Sequence, residues 1–212
     1  VDGGKAFEED LLAQYGSVRF ERCDVSRESD VRDAVERIMA TFGSITVLYN
    51  NASVFLPNAD GAIGKITPET WNRMHAVNLG GTYLCIRHVL PQMIAAGGGS
   101  IVNMGSNSWW EAGAGFPAYA TAKAAVHGLT RTMARELGDH RIRVNCVVPG
   151  WIMTERQQTL WASPDALEAH RARQCLPDLI DPVHVARMVV FLASDDAAMC
   201  TARNFMVDAG AV

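Results

Sequence analysis

Short apolar runs, each preceded by a longer segment of helical periodicity, are the feature that most restricts what this chain can fold into. "ITVL" (45–48) and "VNCVV" (144–148) lack the strict in-out alternation of a strand with one wet face. Strands of that kind are covered on both sides, as in a parallel sheet sandwiched between helices. The intervening segments supply the helices. "SRESDVRDAVERIMATFG" opens with a cap region at Ser26 to Ser29 and carries Val31, Val35, Ile38, Met39 and Phe42 along one face.

The same order recurs along the chain: "GKAFEEDLLAQYG" before a strand in "VRFERCDV", the 26–43 helix before "ITVLYNNA", and a long helix in "TPETWNRMHAVNLGGTYLCIRHVLPQMIAAG" before "SIVNMGS". A helix through "YATAK" then precedes "RVNCVVPG", and "DPVHVARMVVFLAS" precedes "NFMVDAG". This pattern predicts an α/β chain with a Rossmann-like, doubly wound parallel sheet in a single domain, 1–212. Residues 154–181 are polar and broken by prolines, which predicts a small cap inserted after Pro149-Gly150.

Composition narrows the function. The 212 residues are 49% hydrophobic and carry 19 basic against 23 acidic side chains, a formal charge of −4. That balance gives no electrostatic basis for a nucleic-acid or anionic-membrane partner and favours a small, near-neutral ligand. The five cysteines are widely spaced without a CxxC pair, the reading being reduced, buried thiols in a cytoplasmic protein. No apolar run has the length of a membrane span, and the six histidines form no metal-binding pattern.

In a doubly wound sheet the ligand crevice lies outside the carboxyl ends of the strands. Asp24, Asn50-Asn51-Ala52, Ser106 and Pro149-Gly150 follow the first four expected strands in turn. Tyr119 and Lys123 lie one helical turn apart, so both project from one face. A phenol titrates near pH 10, and shifting it about three units towards neutrality takes roughly 4 kcal/mol of preferential phenolate stabilisation. An adjacent ammonium in a water-poor cleft, helped by a cationic ligand, is a source of that energy. Ser106 is the candidate for holding a substrate oxygen beside the phenol. Such groups exchange a proton with an alcohol or carbonyl but cannot accept a hydride, so they imply a cofactor.

With these residues in hand, the chain resembles the short-chain dehydrogenase/reductase family from Asp24 to Gly210. The resemblance implies that Tyr119 is the acid/base, that Lys123 lowers its pKa and binds the nicotinamide ribose, that Ser106 anchors the substrate oxygen, and that Asn78 in "AVNLGG" holds a relay water. It implies further that Asp24 and Val25 receive the adenine, that Asn50 and Ala52 line the nucleotide, and that Pro149, Gly150, Ile152 and Thr154 hold the carboxamide. Two departures stand out. Ser53 replaces the glycine of the family's NNAG, and no glycine-rich GxxxGxG phosphate loop is present. The family's sheet order would then leave a two-strand gap between "VRFERCDV" and "ITVLYNNA", so the expectation is a chain lacking its first βαβ unit. Asp2 is a candidate for selecting NAD, with NADP left open.

Within the family, "GSNSWW", "VVPGWIMTERQ", "RQCL" and the ending "VDAG" are similar to bacterial aldose 1-dehydrogenases of the D-xylose, D-galactose and L-arabinose type. That likeness implies oxidation of a monosaccharide at C1 to a lactone. It makes Trp109 and Trp110 candidates for stacking on the sugar, with Trp151, Glu155, Arg156 and Gln157 as polar or aromatic company. The alternatives are a carbonyl reductase of the 3-oxoacyl type and a non-catalytic dinucleotide-sensing protein without a phosphate loop. Alanines at 118, 120, 122, 124 and 125 permit close helix packing, and the family resemblance implies a homodimer or homotetramer.

Overall fold

The computed structural model describes residues 2–56, 61–111 and 114–211. Four parallel strands, β1 (Val47–Asn50), β2 (Gly99–Met104), β3 (Ile142–Pro149) and β4 (Asn204–Val207), lie in the spatial order β1-β2-β3-β4. Register is explicit: Leu48 faces Ile101, Ile101 faces Val144, and Val147 faces Phe205. Seven helices of more than one turn follow in chain order before the last: α1 (Asp2–Tyr15), α2 (Glu28–Phe42), α3 (Pro68–His75), α4 (Gly81–Ala95), α5 (Pro117–Leu137), α6 (Glu155–Leu160) and α7 (Pro164–Arg171), with α8 (Pro182–Ala193) completing the set among the described residues.

Successive strand residues point to opposite faces, and both faces are dry. On one, Ile101, Ile142 and Val144 pack with Val35 of α2, Ile86, Val89 and Met93 of α4, and Ala134 and Leu137 of α5. On the other, Val102 and Val147 pack with Val185 and Leu192 of α8. This two-sided burial is the doubly wound α/β architecture expected from the unalternating strands.

Four local expectations need correction. "VRFERCDV" forms no ladder; it is irregular from Ser17 to Asp24. A strand exists only where its amides find a neighbour, and here side chains do that work. Glu8 Oε1 accepts from Phe20 N at 2.9 Å, Asp30 Oδ2 accepts from Asp24 N at 3.2 Å, and Glu21 is gripped by Arg19 and Arg37. The expected sheet therefore begins at β1, an edge strand on which Val47 and Tyr49 are exposed. Secondly, neither Ser26 nor Ser29 caps α2: Arg27 occupies the N-cap position without a side-chain cap, while Ser26 Oγ donates to Asp24 Oδ1 at 2.6 Å.

The long helix at 67–97 is also interrupted by a π-helical turn, Ala76–Gly80, between α3 and α4. One inserted residue turns Asn78 inward, a distortion that sequence periodicity alone does not report. Finally, only Cys146 of the five free cysteines is buried, and Cys175 is exposed. Ala118 and Ala122 are fully buried within the subunit, so close packing there serves the monomer core. No helix among the described residues is long and apolar enough to cross a membrane.

Residues 154–181, the expected cap, return to the segment that follows β3. Ile152 bridges Ile180, and Met153 N donates to Ile180 O at 2.9 Å. Its helices start cleanly because Thr154 and Ser163 accept from Gln157 N and Ala166 N.

Candidate active site

The carboxyl ends of β2 and β3 open onto a cavity of about 680 Å³ whose wall includes Ser106, Tyr119 and Gly150. Ser106 follows β2 and caps the short turn Asn107–Trp109, accepting from Ser108 N at 3.2 Å. Pro117 in the first turn of α5 fixes the helix start, which presents Tyr119 to the cavity. The Tyr119 ring meets Phe55 edge-on at 5.4 Å. One turn on, Lys123 is 2% exposed, with Nζ 5.7 Å from the Tyr119 ring centre and donating to Met104 O at 2.9 Å.

Electrostatics modify the expected acidification. Burial raises the Tyr119 phenol above its ordinary value, and hydrogen bonding with Ser106 opposes that rise. Burial also pushes Lys123 down to about 8. In the protein alone, the amine carries its charge reluctantly and the phenol stays protonated. The polypeptide supplies the arrangement, but not by itself the stabilised phenolate.

Asn78, turned inward by the π-helical insertion, ties the loop after β1 to α4. Its Oδ1 accepts from Val54 N at 2.7 Å and from Ser53 Oγ at 3.0 Å, while Nδ2 donates to Val54 O at 2.9 Å. The serine in place of glycine at position 53 thus adds a hydrogen bond to this residue. Its backbone carbonyl is approached by Thr82 Oγ1 at 3.5 Å.

A second cavity, of about 480 Å³, is lined by Asp24, Val25, Ala52, Ser53 and Val77. Asp24 is occupied internally: Oδ1 accepts from Ser26 N and Oγ, Oδ2 lies 3.6 Å from Arg73, and the Ser26 bonds chiefly hold its carboxyl below the ordinary range. Asn50 lines neither cavity. It is buried and donates to Asn103 Oδ1 at 2.9 Å, and Asn103 passes the connection to Thr130 on α5. Pro149 ends β3; Ile152 is used in the bridge to Ile180 and the Thr154 hydroxyl in capping α6. A Cβ on Gly150 would lie 2.9 Å from Asp208 Cα, which accounts for the glycine. The side chain of Asp2 lies outside the described residues.

Trp109 and Trp110 are not cavity residues. The Trp109 indole donates to His127 Nε2 at 2.9 Å, and Trp110 packs edge-on against Trp109. The Trp109 N–H is thus engaged by an imidazole acceptor on α5, and neither ring forms part of this cavity wall. Trp151 lines the cavity, as do Arg156 and Gln157 from residues 154–181, whereas Glu155 does not. Sequence reasoning missed Phe55, Asn107, Glu111, Trp161, His170 and Arg173. The only signal for Glu111 was its place in the turn that begins at Ser106.

This fold and site define an oxidoreductase of the nicotinamide-dependent kind, and the chain belongs to the short-chain dehydrogenase/reductase family. The family model described as enoyl-(acyl carrier protein) reductase matches residues 2–212. The chain is 38% identical to D-xylose 1-dehydrogenase of Caulobacter vibrioides over 99% of its own length and 81% of that protein's. It is 37% identical to a probable galactose dehydrogenase of Rhizobium meliloti, covering 95% and 78% respectively. A 3-oxoacyl-[acyl-carrier-protein] reductase of Chlamydia pneumoniae is 34% identical, covering 98% and 82%. Among solved structures, a short-chain type dehydrogenase/reductase from Mycobacterium ulcerans superposes with a TM-score of 0.92 at 29% identity, over 97% of this chain and 75% of that one. Family membership implies use of NAD or NADP.

Proposed function

We propose that this protein oxidises an aldose at C1 to the lactone, with NAD as the coenzyme. The observation that carries this reading is the composition of the cavity wall around Ser106 and Tyr119: Asn107, Glu111, Arg156, Gln157 and Arg173 all border it. A polyhydroxylated ring can satisfy such groups. A fatty acyl chain would leave the remaining hydrogen-bonding capacity of these groups unused in a water-poor wall, at a cost of about 1–3 kcal/mol for each group so stranded.

Two observations support a dinucleotide here. Ser53 belongs to the walls of both cavities, so the one bordered by Asp24 and Val25 adjoins the one bordered by Ser106 and Tyr119. Lys123 has three ammonium donors and one observed acceptor, Met104 O, leaving it able to bond the hydroxyls of a ribose. Asp24 and Val25 then receive the adenine, Ala52 lines the nucleotide, and Pro149, Gly150, Ile152 and Thr154 border the carboxamide. Asn50 contributes by fixing the end of β1. The bound nicotinamide supplies the hydride acceptor and a positive charge. Ser106 Oγ would hold the C1 oxygen and Lys123 would stabilise Tyr119 as the phenolate; the phenolate Oη takes the C1 hydroxyl proton and becomes the neutral phenol as hydride leaves C1. The carbonyl of Asn78 anchors the water through which that proton leaves.

Contact between copies through α4 and α5 would build a homodimer or homotetramer. The test is a substrate screen of the full-length protein with NAD and NADP. Aldose-dependent coenzyme reduction is expected. Oxidation of reduced coenzyme by a 3-oxoacyl thioester, with no aldose turnover, would replace this function by the reductase alternative.

A further inference from the structure

Part of the cavity wall is built from charged groups that the proton-transfer residues do not use. The turn after Ser106 contributes Glu111, whose side chain is only 15% exposed, and the end of the α7 segment contributes Arg173. Glu111 Oε1 accepts from Asn107 Nδ2, and Asn107 is itself 5% exposed. Glu111 Oε2 lies 3.9 Å from Arg173 Nη1. On its other side, Arg173 Nη2 lies 3.4 Å from Nδ1 of the buried His170.

The protonation of this group follows from its chemistry. A guanidinium only donates, so His170 Nδ1 accepts and the proton of the neutral ring resides on Nε2. Burial and the neighbouring Arg173 charge lower the His170 pKa, which keeps the ring neutral. Arg173 is therefore braced by an acceptor, and Glu111 by the donor of Asn107. The two charges nonetheless stand apart at 3.9 Å, longer than a close charge-assisted hydrogen bond. Each keeps hydrogen-bonding capacity towards the cavity: the carboxylate as acceptor, the guanidinium as donor.

Buried polar atoms without partners also gather here. Ser108 Oγ and His170 Nε2 are both in this condition, and both residues border the cavity. Native interiors leave few such atoms, and a polar ligand or ordered water is the usual partner. An apolar substrate would leave all of these groups stranded.

We propose that Glu111 and Arg173 are the specificity-determining pair for substrate hydroxyls remote from the oxidised carbon. One hydroxyl donates to the Glu111 carboxylate while a neighbouring oxygen accepts from Arg173. Asn107 and His170 hold the two charges in place. This rests on the aldose reading and sharpens it, because the pair selects vicinal hydroxyls and not merely a ring bearing an anomeric hydroxyl.

The test compares D-xylose with 2-hydroxytetrahydropyran, which has the same ring and reacting hydroxyl but none of the others, using full-length wild type, Glu111→Gln and Arg173→Gln. Loss of one charged hydrogen bond should lower kcat/KM for D-xylose by roughly 10- to 100-fold, chiefly through KM, and should change the value for the tetrahydropyran less than about three-fold. Arg173 is half exposed, so its variant provides a second reading should the glutamate variant fold poorly. Retained aldose oxidation with an unaltered preference for D-xylose in both variants overturns the subsite alone. Absence of any aldose turnover by the wild type overturns the aldose function and the subsite with it.

Discussion

Replacing Lys123 with methionine removes a buried amine whose pKa is pulled from its ordinary 10.5 to about 8 by burial. The unfolded chain retains its proton until about 10.5, so between these values the unfolded state binds more protons and wild-type stability rises with pH. Below about pH 8 the folded protein carries the full cost of the buried charge. A shift of this size corresponds to roughly 3 kcal/mol in total, of which about 2.5 kcal/mol is recovered between pH 7 and pH 10. Cys146, pushed up to about 12, and the raised Tyr119 reduce stability as the unfolded thiol and phenol ionise, but both proteins carry these groups, so the difference between them reports the amine. Urea unfolding of both proteins at several pH values measures it. The stability of wild type relative to Lys123→Met should increase by about 2.5 kcal/mol from pH 7 to pH 10. Parallel pH profiles would show an amine that is solvated or ion-paired, and a change of opposite sign would show a raised pKa; either refutes the electrostatic picture of this site.

Trp109→Phe should leave kcat/KM for D-xylose within about two-fold while costing about 1 kcal/mol of stability, because it removes the donor to His127 and not a substrate contact; a large rise in KM in steady-state assays would restore the tryptophan to the cavity. Gly150→Ala should lower stability by about 1–3 kcal/mol, since the new methyl meets Asp208 backbone at 2.9 Å; an unchanged melting temperature would contradict that contact. Ser53→Ala should cost about 1 kcal/mol through the lost bond to Asn78, which thermal unfolding will detect.

The layered sheet was legible because unalternating apolar runs have few other uses, and the pairing of Tyr119 with Lys123 was legible because four residues make about one turn. Less could be read where tertiary contacts override local pattern. The turn of Asn78 into the core depends on Val54 and Ser53, more than twenty residues earlier. "VRFERCDV" has strand-like composition, but strand formation belongs to a pair of segments and not to one. The placement of Trp109 was not legible for a related reason: an indole goes where its N–H finds an acceptor, and His127 is eighteen residues away. Glu111 and Arg173 went unnoticed because isolated surface-type charges acquire meaning only when a cavity brings them together.

The central claim, proton abstraction from a sugar hydroxyl by Tyr119, is tested most directly by aldose-dependent NAD reduction in full-length wild type and Tyr119→Phe, measured beside the coenzyme dissociation constant of each. Removing the phenol oxygen should lower kcat by about 10²- to 10⁴-fold while leaving coenzyme affinity within a few-fold. Equal turnover by the two proteins would contradict the account.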